Sequence, residues 1–337
     1  MSLLGGCSMN DDRKYYDVVS IGSATVDYFA GTDSELIKIQ TRESTDEFIA
    51  FPLGSKLLIE ELNVTVGGGG TNSSVCFSRL GFKAAFLGKL GDDANGEFVQ
   101  QKLVDESVDF LGTKEGHTGL SIILDSIERD RTILAYKGAN NRLYQQDVPK
   151  FTSKYVYLST MMGDSFNTVV HFLKQYKGRV VFNPSSYLAD MGYEALAPIL
   201  DHVELLILNK EEATKLMGLH DVSPRMLLIK MQVLAPTSFV ITDGEKGVYV
   251  YDGHYYYHGK PMPKLKVVES TGAGDAFAST YTAALMMGES VEQAIHLAMT
   301  NAESVLEFRG AKEQLLTREL LYKKAKGLNR EIEKALL

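Results

Sequence analysis

The stretch VVESTGAGDAFAST, Val267 to Thr280, sets three small residues, Gly272, Ala273 and Gly274, ahead of one acid, Asp275, and a run with helical character. Successive N–H groups in a Gly-Ala-Gly turn, with no side chains in the way, converge on an anion, and the positive end of the following helix adds to the attraction. A carboxylate in that region stays ionised at neutral pH. Touching a hydroxyl, it can take the proton as the oxygen attacks a phosphoryl group. The same residues also suit a plain structural device, with Asp275 capping a helix behind a tight glycine turn. From this stretch alone both readings stand.

Working outward, the 337 residues, 45% of them apolar, suffice for one large α/β domain or two ordinary ones. Lys plus Arg total 35 against 43 Asp plus Glu, a net charge of -8 that argues against a nucleic-acid partner and favours small-molecule chemistry. The longest apolar stretches, such as SFVITDG and YVYLST, fall far short of the roughly 20 residues of a membrane helix, so no membrane association is expected. Cys7 and Cys76 are the only cysteines, which excludes a disulfide framework or thiolate zinc site and fits a cytoplasmic location. The opening MSLLGGCSMNDDRK lacks the basic start and apolar stretch of a signal peptide, so residues 1–14 are read as a disordered tail.

Short β-branched runs alternate with longer helical patterns. DVVSIGS, AAFLGKL, YVYLST, RVVFNPS, ELLILN and SFVITDG read as buried strands, which predicts an α/β fold with a mostly parallel sheet between helical layers. Two stretches break the rhythm, about residues 28–66 and the alternating LSIILDSIERDRTILAYKG near 118–138, and these predict a small antiparallel β lid. The charge-rich residues 313–337 read as one or two surface helices of the same domain.

A second bare loop, VTVGGGGTNSSVCFSRLG, puts Gly67 to Gly70, Thr71 and Asn72 at another helix start. It lacks the Gly-Lys-Ser/Thr ending of a Walker loop, and Asn72 and Ser73 stand where a dinucleotide fingerprint needs a packing glycine. GGGGTN, GKLGDDANGEF, LNKEEA, TDGEKG and ESTGAGDAF, in that order, resemble the PfkB or ribokinase-like family of carbohydrate kinases from about Asp17 to Lys312. The resemblance implies a ribokinase-like three-layer sandwich, with residues 15–312 as the kinase domain, and transfer of the ATP γ-phosphoryl group to a sugar or sugar-like hydroxyl with Mg2+. It implies Asp275 as base and Gly272, Ala273 and Gly274 as anion hole. Asp27, Gly68, Gly69 and Asn72 match the sugar-contacting positions, and Asn140 lies near positions that reach substrate in relatives. Asn209 and Glu212 fit an Asn-x-x-Glu element that arranges magnesium and phosphate, often through water. Thr242, Gly244 and Gly247 match the nucleotide-binding strand and turn, and Asn301 lies where the family builds its adenine pocket. GKLGDDANG is a hallmark whose contribution reads as structural.

Departures from the pattern bear on the substrate. Ribokinases proper show Asn-x-Asp after the first strand and a Lys in the glycine run, where this chain has Thr25-Val26-Asp27 and Gly69, which argues against ribose. Glu269 stands where many relatives carry Asp at a potassium site, and its longer side chain weighs against K+ activation. A nucleoside kinase of the same fold and a non-catalytic sugar-sensing homologue are the alternatives. A lid that closes over the acceptor would limit transfer to water, and its partly apolar ribbon, with Phe48, Phe51, Ile122 and Ile133, suits a homodimer surface.

Overall fold

The structure, a computed structural model, describes residues 14–31, 35–40, 45–125, 131–263, 267–268, 270–308 and 310–337, with backbone alone for 35–40, 45–50, 125 and 131. The chain opens with β1 (Lys14–Ile21), β2 (Thr25–Gly31), β3 (Glu35–Gln40), β4 (Thr45–Ala50) and β5 (Glu61–Gly67), then α1 (Gly69–Arg79). There follow β6 (Ala84–Leu87), β7 (Lys89–Leu90), α2 (Ala94–Asp105), β8 (Asp109–Phe110), β9 (Thr113–Lys114), β10 (Gly119–Asp125) and β11 (Arg131–Tyr136). The central βα units are β12 (Phe151–Leu158), α3 (Asp164–Leu173), β13 (Arg179–Phe182), α4 (Ser186–Ala189), α5 (Gly192–Leu200), β14 (Leu205–Asn209), α6 (Lys210–Leu216) and α7 (Pro224–Met231). The chain closes with β15 (Ser238–Thr242), β16 (Val248–Tyr251), β17 (Tyr255–Gly259), α8 (Ala273–Met286), α9 (Val291–Leu306), α10 (Arg318–Lys326) and β18 (Ile332–Leu336).

The six runs read as buried strands are β1, β6 and β12 to β15, and they pair in parallel in one ten-stranded sheet ordered β18-β17-β16-β15-β14-β13-β12-β1-β6-β8. Both faces of that sheet are covered, which is why the runs are apolar throughout instead of alternating with polar residues. Along β14, Leu205 and Ile207 enter the core under α1, α8, α9 and α10, whereas Leu206 and Leu208 enter the opposite core under α3 to α7. Successive side chains on a strand point to opposite faces, so one short segment feeds two helical layers.

The second sheet is ordered β11-β10-β2-β5. Its β10–β11 and β2–β5 pairs are antiparallel, but β2 pairs with β10 in parallel, so the lid is mixed, not wholly antiparallel as expected. A strand leaving β1 and one returning from α2 meet side by side, a pairing that a local hairpin signal cannot announce. β3 and β4 form a separate antiparallel pair. Phe48, the tail residues 1–13 and Glu269 lie outside the residues whose side chains are described.

The C-terminal segment differs from the helical expectation. After α10 the chain ends in β18, antiparallel to β17 at the sheet edge. Lys334 lies along this pairing, with its ammonium 4.4 Å from the Tyr255 ring centroid and 3.0 Å from Glu292. Edge strands with one charged face are common, and they carry little apolar periodicity.

Candidate active site

A cavity of about 330 Å³ opens at the carboxyl ends of the parallel strands, where open α/β sheets place their ligands. Thr242, Asn209, Asn183, Ser159 and Ser23 line it in strand order from β15 to β1, and Gly272, Gly274 and Asp275 close it from the start of α8. Gly272 is the N-cap of α8 at φ 80°, and Asp275 lies in the first turn. The first N–H groups of a helix have no partner within it. The Ala273 N–H donates to the Ser270 carbonyl at 3.4 Å, while the space beside Gly274 is open, since a Cβ there would meet nothing within 4 Å.

Asp275 is held from the other glycine loop. Asn72, in α1, donates from Nδ2 to Asp275 Oδ2 at 2.7 Å. Lys312 Nζ donates to Asn72 Oδ1 and, at 2.6 Å, to the carbonyl of Val66. The arrangement orients the Asn72 amide: an oxygen facing an ammonium leaves the NH2 to face the carboxylate. Burial raises the Asp275 carboxyl above the usual carboxylate range, while donation by Asn72 and the charge of Lys312 pull it back and the charge of Asp27 pushes it further up. Lys312 is 2% exposed; burial pulls its ammonium down to about 7, against the opposing attraction of Asp27 and Asp275.

Nothing in the local pattern of RGAKE marks Lys312 as buried, and it was not among the site residues read from the sequence. Its role gives a prediction. Lys312→Met removes a positive charge that favours the Asp275 carboxylate, so the acid limb of the kcat profile moves to higher pH, and kcat at pH 7 falls about tenfold as the Asn72 amide loses its anchor. An unchanged acid limb in a pH–rate series would separate Lys312 from Asp275.

The other expected residues divide into those on the cavity and those behind it. Gly69 lines the cavity, whereas Gly68 packs against Ser23 and Ala24 of the loop after β1. Asp27 is 6% exposed, accepts from Thr25 Oγ1 at 2.9 Å, and lies behind the glycine run instead of on the cavity wall. It requires Gly67, since a Cβ there would come within 1.8 Å of Asp27 Oδ2. Asn140 reaches the cavity, and its amide bonds backbone: Ala24 N–H donates to its oxygen and its nitrogen donates to the Ala24 carbonyl, both at 2.8 Å. In this geometry it braces the lid-side loop.

Asn209 and Glu212 form a reciprocal capping box at the start of α6, with bonds of 2.8 and 2.9 Å between each side chain and the other's backbone N–H. Both also line the cavity. Burial first, and then the charge of Asp275, push the Glu212 carboxyl up to about 7, with the Asn209 N–H opposing. Thr242 lines the cavity, while Gly244 and Gly247 shape the turn from β15 to β16 away from its wall. Asn301 is fully buried in α9, where it donates to Thr280 Oγ1 at 2.8 Å and accepts from Leu316 N–H at 2.9 Å. That places it in the core between α8 and α9, away from the cavity. Asp93 N-caps α2 through Gly96 and binds Thr118, in keeping with a structural part for GKLGDDANG.

Among the described residues, no cluster of three or more His, Cys, Asp or Glu could hold a metal ion unaided, and no helix is long and apolar enough to cross a membrane. Residues 17–318 match the profile of the pfkB family carbohydrate kinases. A ribokinase of Arabidopsis thaliana is 23% identical over 310 residues, 87% of this chain and 77% of that protein. A nucleoside kinase of Methanocaldococcus jannaschii is 23% identical over 255 residues, 74% of this chain and 82% of that protein. The solved structure of Arabidopsis thaliana ribokinase complexed with ribose and ATP shares the fold with a TM-score of 0.74 at 21% identity, covering 93% of this chain and 99% of that one. With its two glycine loops meeting at one acid and a family match over most of its length, the chain belongs to the pfkB family of carbohydrate kinases.

Proposed function

We propose that the protein transfers the γ-phosphoryl group of ATP to a hydroxyl of a small sugar or sugar-like acceptor. The observation that carries this reading is the juxtaposition at α8: a carboxylate oriented by Asn72 and Lys312 lines a small cavity beside the glycines of the helix start, Gly272 and Gly274. Phosphoryl transfer asks a protein for alignment and charge stabilisation more than for covalent chemistry. Asp275 accepts the acceptor's proton as its oxygen attacks phosphorus, and the amides of Gly272, Ala273 and Gly274 receive the negative charge of the moving phosphoryl group. Thr242, Asn209 and Glu212 mark the nucleotide side of the cavity; Ser23 and Gly69 mark the acceptor side. Asp27 and Gly68 act from behind the wall, and Gly244, Gly247 and Asn301 shape elements that flank it.

Magnesium keeps most of its waters and takes one or two carboxylates besides phosphate oxygens, so a sparse donor set suits it. Glu212 would hold it, in part through water, and the ion would supply charge neutralisation at the phosphates. Because the Glu212 carboxyl is pushed up to about 7, its anionic form dominates above that pH and fades below it. The magnesium concentration for half-maximal rate is therefore expected to rise between pH 8 and pH 6. Glu212→Gln should raise it about tenfold and flatten its dependence on pH; initial-rate titrations with MgCl2 at both pH values check this, and a Gln variant with wild-type behaviour would remove Glu212 from metal binding.

The founding test is a coupled ADP-release screen over sugars, sugar acids, sugar phosphates and nucleosides, with magnesium and with or without potassium. Absence of ADP release with every class would overturn the kinase reading. The lid leaves Leu62, Ile133, Leu134 and Tyr136 56%, 46%, 52% and 49% exposed, and we assign this bare surface to a second copy of the chain. A monomer at all concentrations in sedimentation equilibrium would refute that assignment.

A further inference from the structure

The cavity wall holds polar side chains of two kinds. Asn140 exchanges both backbone bonds with Ala24, and Asn183 donates to the Ile207 carbonyl and accepts from the Tyr157 hydroxyl. Lys137, Ser159 and Ser185 line the same cavity in a different condition. The Ser159 and Ser185 hydroxyls are buried with no hydrogen-bond partner, and Ser159 is 2% exposed. Buried hydroxyls are paired in the great majority of proteins, and an orphan on a cavity wall points to a missing ligand. Lys137 makes no ion pair with any described carboxylate; its ammonium rests 4.1 Å from the centroid of the Tyr187 ring, two residues beyond Ser185.

We propose that Lys137, with the hydroxyls of Ser159 and Ser185, forms an anion-accepting subsite, so that the acceptor is a polyhydroxy compound carrying a carboxylate or a phosphate monoester. The proposal rests on the kinase reading above and names the substrate class of that site. Position in the fold separates this cation from the nucleotide. Lys137 directly follows the lid strand β11 and faces the ends of β12 and β13, whereas Thr242 lies at the end of β15, two or three strand spacings of roughly 5 Å away. Ser159 ties the subsite to the chemistry, because its Oγ and Asp275 Oδ1 both lie within 3.5 Å of the point that a Cβ on Gly69 would occupy. An acceptor spanning the wall can thus present a hydroxyl to Asp275 and its acid group to Lys137. Burial alone lowers the Lys137 ammonium, with no carboxylate offsetting it, so an anionic ligand would restore a partner that the protein does not provide. The Tyr187 ring holds the ammonium without neutralising it.

The test compares matched acceptors in the ADP-release assay: neutral aldoses, the aldonates of the same skeletons, and their terminal phosphate monoesters. The wild-type kcat/KM is expected to favour one acid series over the neutral sugars by at least about tenfold, and the series that wins tells carboxylate from phosphate. Lys137→Met should lower that charged-to-neutral ratio about 10- to 100-fold, the scale of one charge-assisted hydrogen bond, and Lys137→Arg should restore most of it. A ratio that Lys137→Met leaves unchanged, or a neutral sugar as the best acceptor, overturns the subsite while leaving the kinase reading intact. A rise in the KM for ATP matching the loss for every acceptor would assign the cation to the nucleotide instead. ADP release with no acceptor at all removes the kinase reading and this proposal with it. An unaltered ATP-induced shift in melting temperature verifies that the variants are folded.

Discussion

Asp275→Asn is expected to lower kcat by roughly 10²- to 10⁴-fold, the usual scale for losing a general base, with the Kd for ATP changed by less than about threefold. The geometry makes the substitution a clean one. Asn is isosteric with Asp, and the Asn72 Nδ2 that donates to Asp275 Oδ2 at 2.7 Å can donate to an amide oxygen in the same place. The backbone amides that would hold the phosphoryl charge do not move. What disappears is the capacity to take a proton. A second readout comes from stability. The Asp275 carboxyl is raised by burial, so its contribution to stability is present below its unfolded value and lost as pH rises through its folded value. Above that folded value the wild type has lost the contribution, whereas Asn resembles the neutral form at every pH. The variant should therefore melt higher than the wild type at pH 8 and show no such gain at pH 4. Higher stability with lower turnover is the pattern of a residue kept ionised for function. A variant with wild-type turnover would end the case for Asp275 as base; one with no activity and a lower melting temperature at pH 8 would mean a structural role.

The sequence was most informative where burial is symmetric. RVVFNPS and ELLILN are continuous apolar runs because both sheet faces are covered, and such runs can be read without knowing their partners. The two glycine loops could be read only together, since either alone also suits a tight turn and a helix cap, and it is their order along the chain that resembles the family. Side-chain chemistry at a distance was not legible. Asn140 and Asn301 have the groups that ligand contacts need, yet both amides also bond within the protein, to Ala24 on the cavity wall in one case and to Thr280 and Leu316 in the core in the other. Only the fold decides which polar groups remain unpaired. Lys312 is the converse. A lysine in a charge-rich stretch reads as a solvated surface residue, and its burial depends on a loop returning from α9 to pack against α1 and α8. β18 escaped notice because edge strands bury little, and its register comes from pairing with β17 instead of from its own pattern.

That returning loop makes Gly272→Ala the second large effect. Gly272 has φ 80°, and a Cβ added there would meet Ala311 Cβ at 2.3 Å and Ala311 Cα at 2.5 Å. The left-handed conformation costs a residue with a Cβ about 1–2 kcal/mol, and forced overpacking adds about 1–3 kcal/mol. The second contact is with backbone, so side-chain rotation cannot relieve it, and the Ala311 segment has to shift. Lys312 is the next residue and anchors Asn72, so the displacement reaches the carboxylate by two routes, through the start of α8 and through the Lys312–Asn72 contact. We expect kcat to fall about 10²- to 10³-fold, comparable to losing one oxyanion donor, together with a lower melting temperature. The double variant Gly272→Ala with Ala311→Gly separates the causes. Removing the opposing methyl should recover part of the stability and part of kcat, because the clash with Ala311 Cβ is gone while the contact with residue 311's Cα and the backbone strain remain. Full wild-type kcat in the single variant would mean that the amides at this turn do not hold the transferring group, and no recovery in the double variant would mean that backbone strain and the contact with residue 311's backbone, not its methyl, set the position of the loop.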